Sequence, residues 1–212
     1  MTKMENSLMT KQHLVGLINE SIRAVSFLQQ PHVLDFLEDV AELLANMFNN
    51  DGKVIAIGNG GSLCDAAHFA EELTGFFRYK RPSLPAIAVT EPAHITCVAN
   101  DIGYEWVFAR AISAFGKPGD VLIALSTSGR SPSIIRAVEE AQKCQMRTVT
   151  FLGKGGGDLR GVADYELIIE GFSTSDRIQE AHMAALHILI ELVERRLFPE
   201  VYAPLLAQAI QN

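Results

Sequence analysis

The chain is predicted to fold as an α/β protein: a doubly wound, mainly parallel five-stranded sheet with an N-terminal helical arm. Three observations lead there. From Lys53 onward, short apolar runs alternate with stretches of helical period, the rhythm of βαβ units. The runs are apolar at nearly every position, as expected of strands covered on both faces. Several of them end in loops rich in Gly, Ser and Asn that open the next helix, the arrangement that places ligands beyond the carboxyl ends of strands.

The arm comes first. Leu8, Leu14, Ile18, Ile22, Val25 and Leu28 recur at helical spacing and predict a helix over 8–29. Pro31 breaks it. Val33, Phe36, Leu37, Val40, Leu43, Leu44 and Phe48 carry a second helix over 32–49, closed by the turn Asn50-Asp51-Gly52. Strands are predicted at 53–57, 85–89, 121–125, 147–152 and 165–169. Helices are predicted at 63–77, 93–99, 104–115, 132–145 and 177–197. The division is therefore an arm (1–50) belonging to the same domain as the sheet, the sheet domain proper (51–198) and a tail (199–212). The tail is a short docking helix or a loose end. The two arm helices and the helix at 177–197 carry more apolar surface than a small sheet needs covered. They are candidate oligomer surfaces, with simple core cover as the alternative.

Composition narrows the function. The 212 residues are 48% hydrophobic, ample for a packed core, and the net charge is −7. That charge argues against a nucleic-acid partner. No apolar run approaches the roughly 18 residues of a membrane span. The N-terminus lacks the apolar stretch of a signal peptide, so a cytoplasmic location and no membrane partner are expected. Cys64, Cys97 and Cys144 are too few and too scattered for a disulfide framework or a Cys-x-x-Cys metal site, and they read as small core residues.

The most informative stretch is Asn59-Gly60-Gly61-Ser62, which follows the run Lys53-Val54-Ile55-Ala56-Ile57-Gly58 and leads into a helix. Small residues at a helix start let backbone N–H groups and the positive helix end approach an anion. That helix then presents His68, Glu71 and Glu72, with His68 and Glu72 four apart on one face. A solvated polar pair is the plain alternative. The second loop, Ser126-Thr127-Ser128-Gly129-Arg130-Ser131, follows Val121-Leu122-Ile123-Ala124-Leu125 and precedes Pro132. So dense a run of hydroxyls at a helix start is an anion-site pattern, beyond ordinary N-capping by Ser128 or Ser131. It lacks the Gly-Lys-Ser/Thr of a nucleotide-binding loop, and no nucleotide cofactor is expected. Gly153-Lys154-Gly155-Gly156-Gly157 resembles a third cradle but reads better as a flexible connection or a tight turn at the sheet rim. Asn100-Asp101 is either a turn or a pair of groups for sugar hydroxyls.

Two anion cradles beside a His/Glu pair point to chemistry on a small phosphorylated sugar. Proton abstraction next to a carbonyl needs a base near the C–H and a group that protonates or polarises the oxygen. Glu72 is the candidate base. Gln179, Glu180, His182 and His187 on the last helix are candidates to meet it. His187 lies in a mostly apolar helix, where it is either a placed group or a satisfied core histidine. His94 and His182 read as structural, and His13 and His32 as surface residues.

Gly58-Asn59-Gly60-Gly61-Ser62, the run from His68 to Gly75, Asn100-Asp101, Ser126-Thr127-Ser128-Gly129 and the segment from Asp176 through His187 together resemble the phosphoheptose isomerases of the flavodoxin-like SIS fold. The resemblance spans about residues 10–198. It implies conversion of sedoheptulose 7-phosphate to D-glycero-D-manno-heptose 7-phosphate through an enediol, at the start of heptose supply for bacterial lipopolysaccharide core. It implies Glu72 as base and His187 as acid partner. It implies one zinc per subunit, held by His68, Glu72, Gln179 and His187. Asn59, Gly60, Gly61, Glu72, Asn100, Asp101, Ser126, Thr127, Ser128, Ser131 and Gln179 would bind substrate. A homotetramer with pockets at subunit interfaces is also implied. Gln179 and His187 are eight residues apart, about 12 Å of helical rise. So the helix begins near Gln179, or different subunits supply the two, or one binds at a time. Arg130, Phe76-Phe77 and the long tail depart from the family pattern. The competing readings are a non-catalytic SIS protein resembling the replication-initiator-associating factor, and another sugar-phosphate isomerase of the same fold.

Overall fold

A computed structural model describes the backbone of residues 3–203 and the side chains from Thr10 onward. Its five strands are β1 (Val54–Gly58), β2 (Ala86–Ala88), β3 (Val121–Ser126), β4 (Arg147–Gly153) and β5 (Tyr165–Ile169). All neighbours pair in parallel, in the order β2-β1-β3-β4-β5. This is a doubly wound sheet whose order reverses between β1 and β3. The helices are α1 (Lys3–Ser26), α2 (Pro31–Asn49), α3 (Gly61–Thr74), α4 (Pro92–Asp101), α5 (Val107–Phe115), α6 (Pro132–Lys143) and α7 (Ser175–Leu197).

The predicted α/β architecture is the observed one. Strand side chains alternate between two cores. Val54, Ala56, Val121, Ile123, Val149 and Phe151 join α2, α3 and α7 on one face. Ile55, Ile57, Leu122 and Ala124 join α4, α5 and α6 on the other. β1 and β3 are buried along their whole length, which is why they read as unbroken apolar runs. β2 is short and lies at the edge, with Ile87 exposed.

Local chemistry sets the boundaries. α2, α4 and α6 each carry proline in the first turn, where its missing N–H costs nothing. The Glu91 carboxylate caps α4 by accepting from the N–H groups of Ala93 and His94. The helix predicted over 8–29 ends at Ser26 and passes into a short 3₁₀ turn over Phe27–Gln29. α3 stops at Thr74, three residues earlier than periodicity suggests. Of the tail, residues 199–203 are helical and Tyr202 is buried, so this part docks. Residues 204–212 lie outside the described part.

The cysteine reading is corrected. Cys64 and Cys97 are exposed and Cys144 is half-buried. Cys64 and Cys97 sit on solvent-facing positions of α3 and α4, where composition alone cannot distinguish a core cysteine from a surface one. His182 and His94 are structural as read. His182 is fully buried with Nε2 2.9 Å from the Leu152 carbonyl, and His94 Nε2 lies 2.9 Å from the Val107 carbonyl. His13 and His32 are exposed.

Candidate active site

The reversal of strand order between β1 and β3 opens a crevice at their carboxyl ends, and the two small-residue loops leave those ends. α3 and α6 then diverge to opposite faces of the sheet. A cavity of about 150 Å³ lies between the loops, lined by Asn59, Ser62, Ser126, Thr127, Ser128, Ser131, Ser175 and Gln179 with Leu125 at its base.

Each wall is braced. Asn59 is held from two sides: Tyr104 donates its hydroxyl to Oδ1 at 2.7 Å, and the Asn59 amide donates to Ser133 Oγ at 3.0 Å. The Gln179 amide donates to Ser62 Oγ at 3.2 Å. A Cβ on Gly61 would meet that same amide at 2.6 Å, so a larger residue there would push the end of the Gln179 side chain away from this loop. On the opposite wall Ser126 Oγ accepts the Gly129 N–H at 3.0 Å, and Thr127 shares a hydrogen bond with Ser175 at 3.1 Å. Ser131 stands at the N-cap of α6 without capping it through its side chain, so N-capping does not account for that hydroxyl.

The third glycine run is a tight turn, with the Gly156 N–H donating to the Gly153 carbonyl at 2.9 Å. It buttresses the hydroxyl loop. Asp158 and Leu159 donate to the Gly129 carbonyl at 3.0 and 3.2 Å. Gly129 has φ +62°, and a Cβ there would fall 1.8 Å from the Gly156 oxygen. Lys154 reaches Ser175 Oγ at 3.3 Å, bringing a cation to the cavity rim. Arg130 is exposed and does not line the cavity. Asn100 and Asp101 are exposed at the end of α4, bonded to each other at 2.7 Å, and they do not line it either.

A second cluster forms further along α3 and α7. His68 Nε2 lies 3.3 Å from Glu72 Oε1. The His187 ring meets the His68 ring edge-on, centroids 5.1 Å apart. One ligand atom from each of His68, Glu72 and His187 lies within 4.8 Å of the other two. Burial lowers the pKa of His187, His68 and Arg78 lower it further, and Glu72 opposes them. Glu71 points outward.

α7 is continuous from Ser175 to Leu197, so Gln179 is well inside it. Within one protomer Gln179 belongs to the loop cavity and His187 to the His/Glu cluster, about 12 Å of rise away. Of the alternatives posed by the eight-residue spacing, a helix beginning near Gln179 is thereby excluded.

Four residues near these groups carried no role in the sequence reading. Asp65, one turn before His68, is half-buried, and burial pushes its pKa up to about 6 against the lowering pull of His68. Its spacing from His68 and Glu72 on one helix face was visible. Ser175 and Lys154 reach the cavity, and Tyr104 braces Asn59, through contacts 21 to 48 residues apart in sequence; no local pattern announces them.

The SIS domain family matches residues 21–153 of the chain. The chain is 53% identical over 176 residues to a phosphoheptose isomerase of Fusobacterium nucleatum, covering 83% of this chain and 90% of that protein. It is 48% identical over 181 residues to one of Edwardsiella ictaluri, covering 85% and 94%. Its structure is similar to a phosphoheptose isomerase from Neisseria gonorrhoeae, with TM-score 0.79 and 34% identity, covering 87% of this chain and 98% of that one. It is also similar to one from Francisella tularensis, with TM-score 0.78 and 32% identity, covering 92% and 100%.

Proposed function

The chain belongs to the SIS domain family and, within it, to the phosphoheptose isomerases, which sets its reaction as the interconversion of sedoheptulose 7-phosphate and D-glycero-D-manno-heptose 7-phosphate; on that premise we propose how its residues divide the work. The convergence of His68, Glu72 and His187 is the observation that carries the proposal. The non-catalytic SIS reading draws no support from the relatives.

The loop cavity takes the phosphate. Ser126, Thr127, Ser128 and Ser131 supply hydroxyls, Asn59, Gly60 and Gly61 the opposite wall, and Gln179 the rim. Asn100 and Asp101 are assigned to sugar hydroxyls. Glu72 removes a proton from C1 of the ketose, and an N–H of the His187 ring gives one to O2, forming the enediol. His187 then takes the proton from O1 while Glu72 returns its proton to C2, giving the aldose. Each proton removed is replaced, so no redox partner is needed. A positioned acid or base contributes roughly 10²–10⁴-fold.

The donor set fits zinc: two imidazoles and a carboxylate are the three protein ligands of an open catalytic site. His68, His187 and Glu72 would hold the ion, with Gln179 as a fourth candidate donor; a ligand nitrogen must be unprotonated and a ligand carboxylate oxygen is not a free base, so His187 and Glu72 would serve as ligand and as acid or base in turn. Bound there, it would supply a Lewis acid for the carbonyl oxygen. Glu72 uses one carboxylate oxygen toward His68, which leaves the second for the proton on C1.

Gln179 and His187 reach one metal ion only if neighbouring protomers contribute them or if one binds at a time; on the first arrangement the working unit is an oligomer, a homotetramer as in the family resemblance. Leu14, Ile18, Ile22 and Val25 form an exposed apolar stripe down α1, and α1 packs on α7 through Ser21, Arg177 and Glu180. Among the described residues no helix is long and apolar enough to cross a membrane.

The test is turnover of sedoheptulose 7-phosphate before chelation, after it, and after zinc is restored. Loss and recovery are expected. Full turnover after exhaustive chelation would remove the metal from the mechanism, and no turnover in any state would remove the substrate assignment.

A further inference from the structure

Between α3 and β2 the chain crosses the side of α7 as an irregular segment over 75–85. Three of its side chains engage three α7 residues, 187, 191 and 194, which share one helix face. The Phe77 ring lies flat on the His187 imidazole, centroids 5.4 Å apart and planes 20° from parallel. Arg78 pairs with Glu191 while its guanidinium sits 5.0 Å from the Phe77 ring centre. Arg81, its side chain fully buried, donates Nε to Glu194 at 2.6 Å. Its terminal nitrogens donate to the main-chain carbonyls of Glu72 at 2.8 Å, Leu73 at 2.7 Å, Gly75 at 3.1 Å and Pro82 at 3.0 Å. Tyr202, from beyond α7, donates its hydroxyl to the other oxygen of Glu194.

We propose that residues 76–82 form a strap that sets the geometry of the proton-transferring pair, with Phe77 as the positioning residue for His187. This rests on the roles assigned above to Glu72 and His187. A histidine ring turns about a broad torsion, and a half-buried one on a helix face has room to do so. Here one face is closed by Phe77, and His68 approaches edge-on, with ring planes 79° apart. The ring plane is thus held while one of its nitrogens stays within 4.8 Å of a Glu72 carboxylate oxygen. Arg81 performs the matching task for the base, because one buried guanidinium holds both the backbone of Glu72 and α7 two turns beyond His187. Tyr202 gives the docked part of the tail a task in the same network.

The experiment compares Phe77→Leu, Phe77→Tyr and Tyr202→Phe with the parent. Steady-state kinetics on sedoheptulose 7-phosphate and thermal unfolding are measured for each. Metal-free protein carrying ¹³Cε1-histidine gives the second readout, the His187 resonance, assigned by its loss in His187→Ala. In the parent, ring current from Phe77 displaces this resonance upfield. Phe77→Leu is expected to move it downfield and to lower kcat about tenfold or more, with KM within about twofold and Tm little changed. Phe77→Tyr restores both the resonance and kcat. Tyr202→Phe, which removes one hydroxyl, is expected to lower kcat by a smaller factor, again sparing KM. An unmoved resonance in Phe77→Leu, or a loss of kcat only in step with Tm and without rescue by Phe77→Tyr, would overturn the proposal. A parent without turnover but with the displaced resonance would instead sink the roles of Glu72 and His187, leaving the stack intact.

Discussion

Acid should weaken this fold through His182. The side chain is fully buried, edge-on to Phe151 with centroids 5.8 Å apart and hydrogen-bonded to the Leu152 carbonyl. Its Nδ1 has no hydrogen-bond partner among the described residues. Burial lowers its pKa from 6.5 to about 4, against the raising effect of the Leu152 bond. The native chain therefore keeps this ring neutral down to about pH 4, while the unfolded chain takes up a proton below about pH 6.5. Stability from this group is complete above pH 6.5 and is lost as pH falls from 6.5 toward 4, at about 1.4 kcal/mol per pH unit and about 3 kcal/mol in all. Urea unfolding followed by the single tryptophan, Trp106, measures it at pH 6.5 and 5.0, at one protein concentration so that the proposed association contributes equally to both proteins. The control is His182→Gln, whose amide can still donate to Leu152. Across that interval the parent should lose about 2 kcal/mol more than the variant. Parallel losses in the two proteins would refute the assignment of the acid sensitivity to His182.

Three further outcomes follow from the same structure. Glu72→Gln should fold and associate normally while turnover falls roughly 10²–10⁴-fold; a variant with parental kcat would end the role given to the carboxylate. Gly129→Ala places a methyl group on the Gly156 oxygen at a positive φ, a backbone cost of about 1–3 kcal/mol before the loops part. Its KM should rise about tenfold or more, and an unchanged KM would show that the phosphate does not use this loop. Ile18→Asp introduces a charge into the exposed stripe of α1 and should shift the protein to smaller species in size-exclusion chromatography with light scattering; an unaltered mass would place the subunit contact elsewhere.

The sheet was legible because its strands are buried on both faces, so apolar runs such as Val121–Ser126 needed no partner to be recognised. Helix starts were legible at Pro132, read as a first-turn proline, and within one residue at Pro31 and Pro92, where the structure also begins a helix on proline. Helix ends were harder: the predicted end at 77 overshoots Thr74 by three residues, and Phe76 and Phe77 belong to the crossing segment. The His68–Glu72 pair could be read from four-residue spacing. His187 could be read only as one of several candidates until the family resemblance singled it out, since no local pattern separates it from His182 on the same helix. What brings Phe77 to His187 or Arg81 to Glu194 is contact across 110 or more residues, and such pairs leave no periodicity. Cys64 and Cys97 misled for a related reason: their hydrophobicity suits a core, but their helix faces turn to solvent, whereas Cys144 packs half-buried against the core.

The interlocked turns after β3 and β4 have a consequence for how substrate recognition can vary. The turn at Gly156 packs so closely on Gly129 that a Cβ there would fall on the Gly156 oxygen, and two main-chain hydrogen bonds from Asp158 and Leu159 tie the loops together; loops ordered together in this way need less ordering when a ligand binds. On the proposed placement of the phosphate, a substitution at Gly156 or Gly157 is therefore expected to register as a change in affinity for the charged end of the substrate. On that proposal the grip on that end is inherited as a block, and tuning toward a different carbon chain is left to the half of the crevice facing α3 and α7.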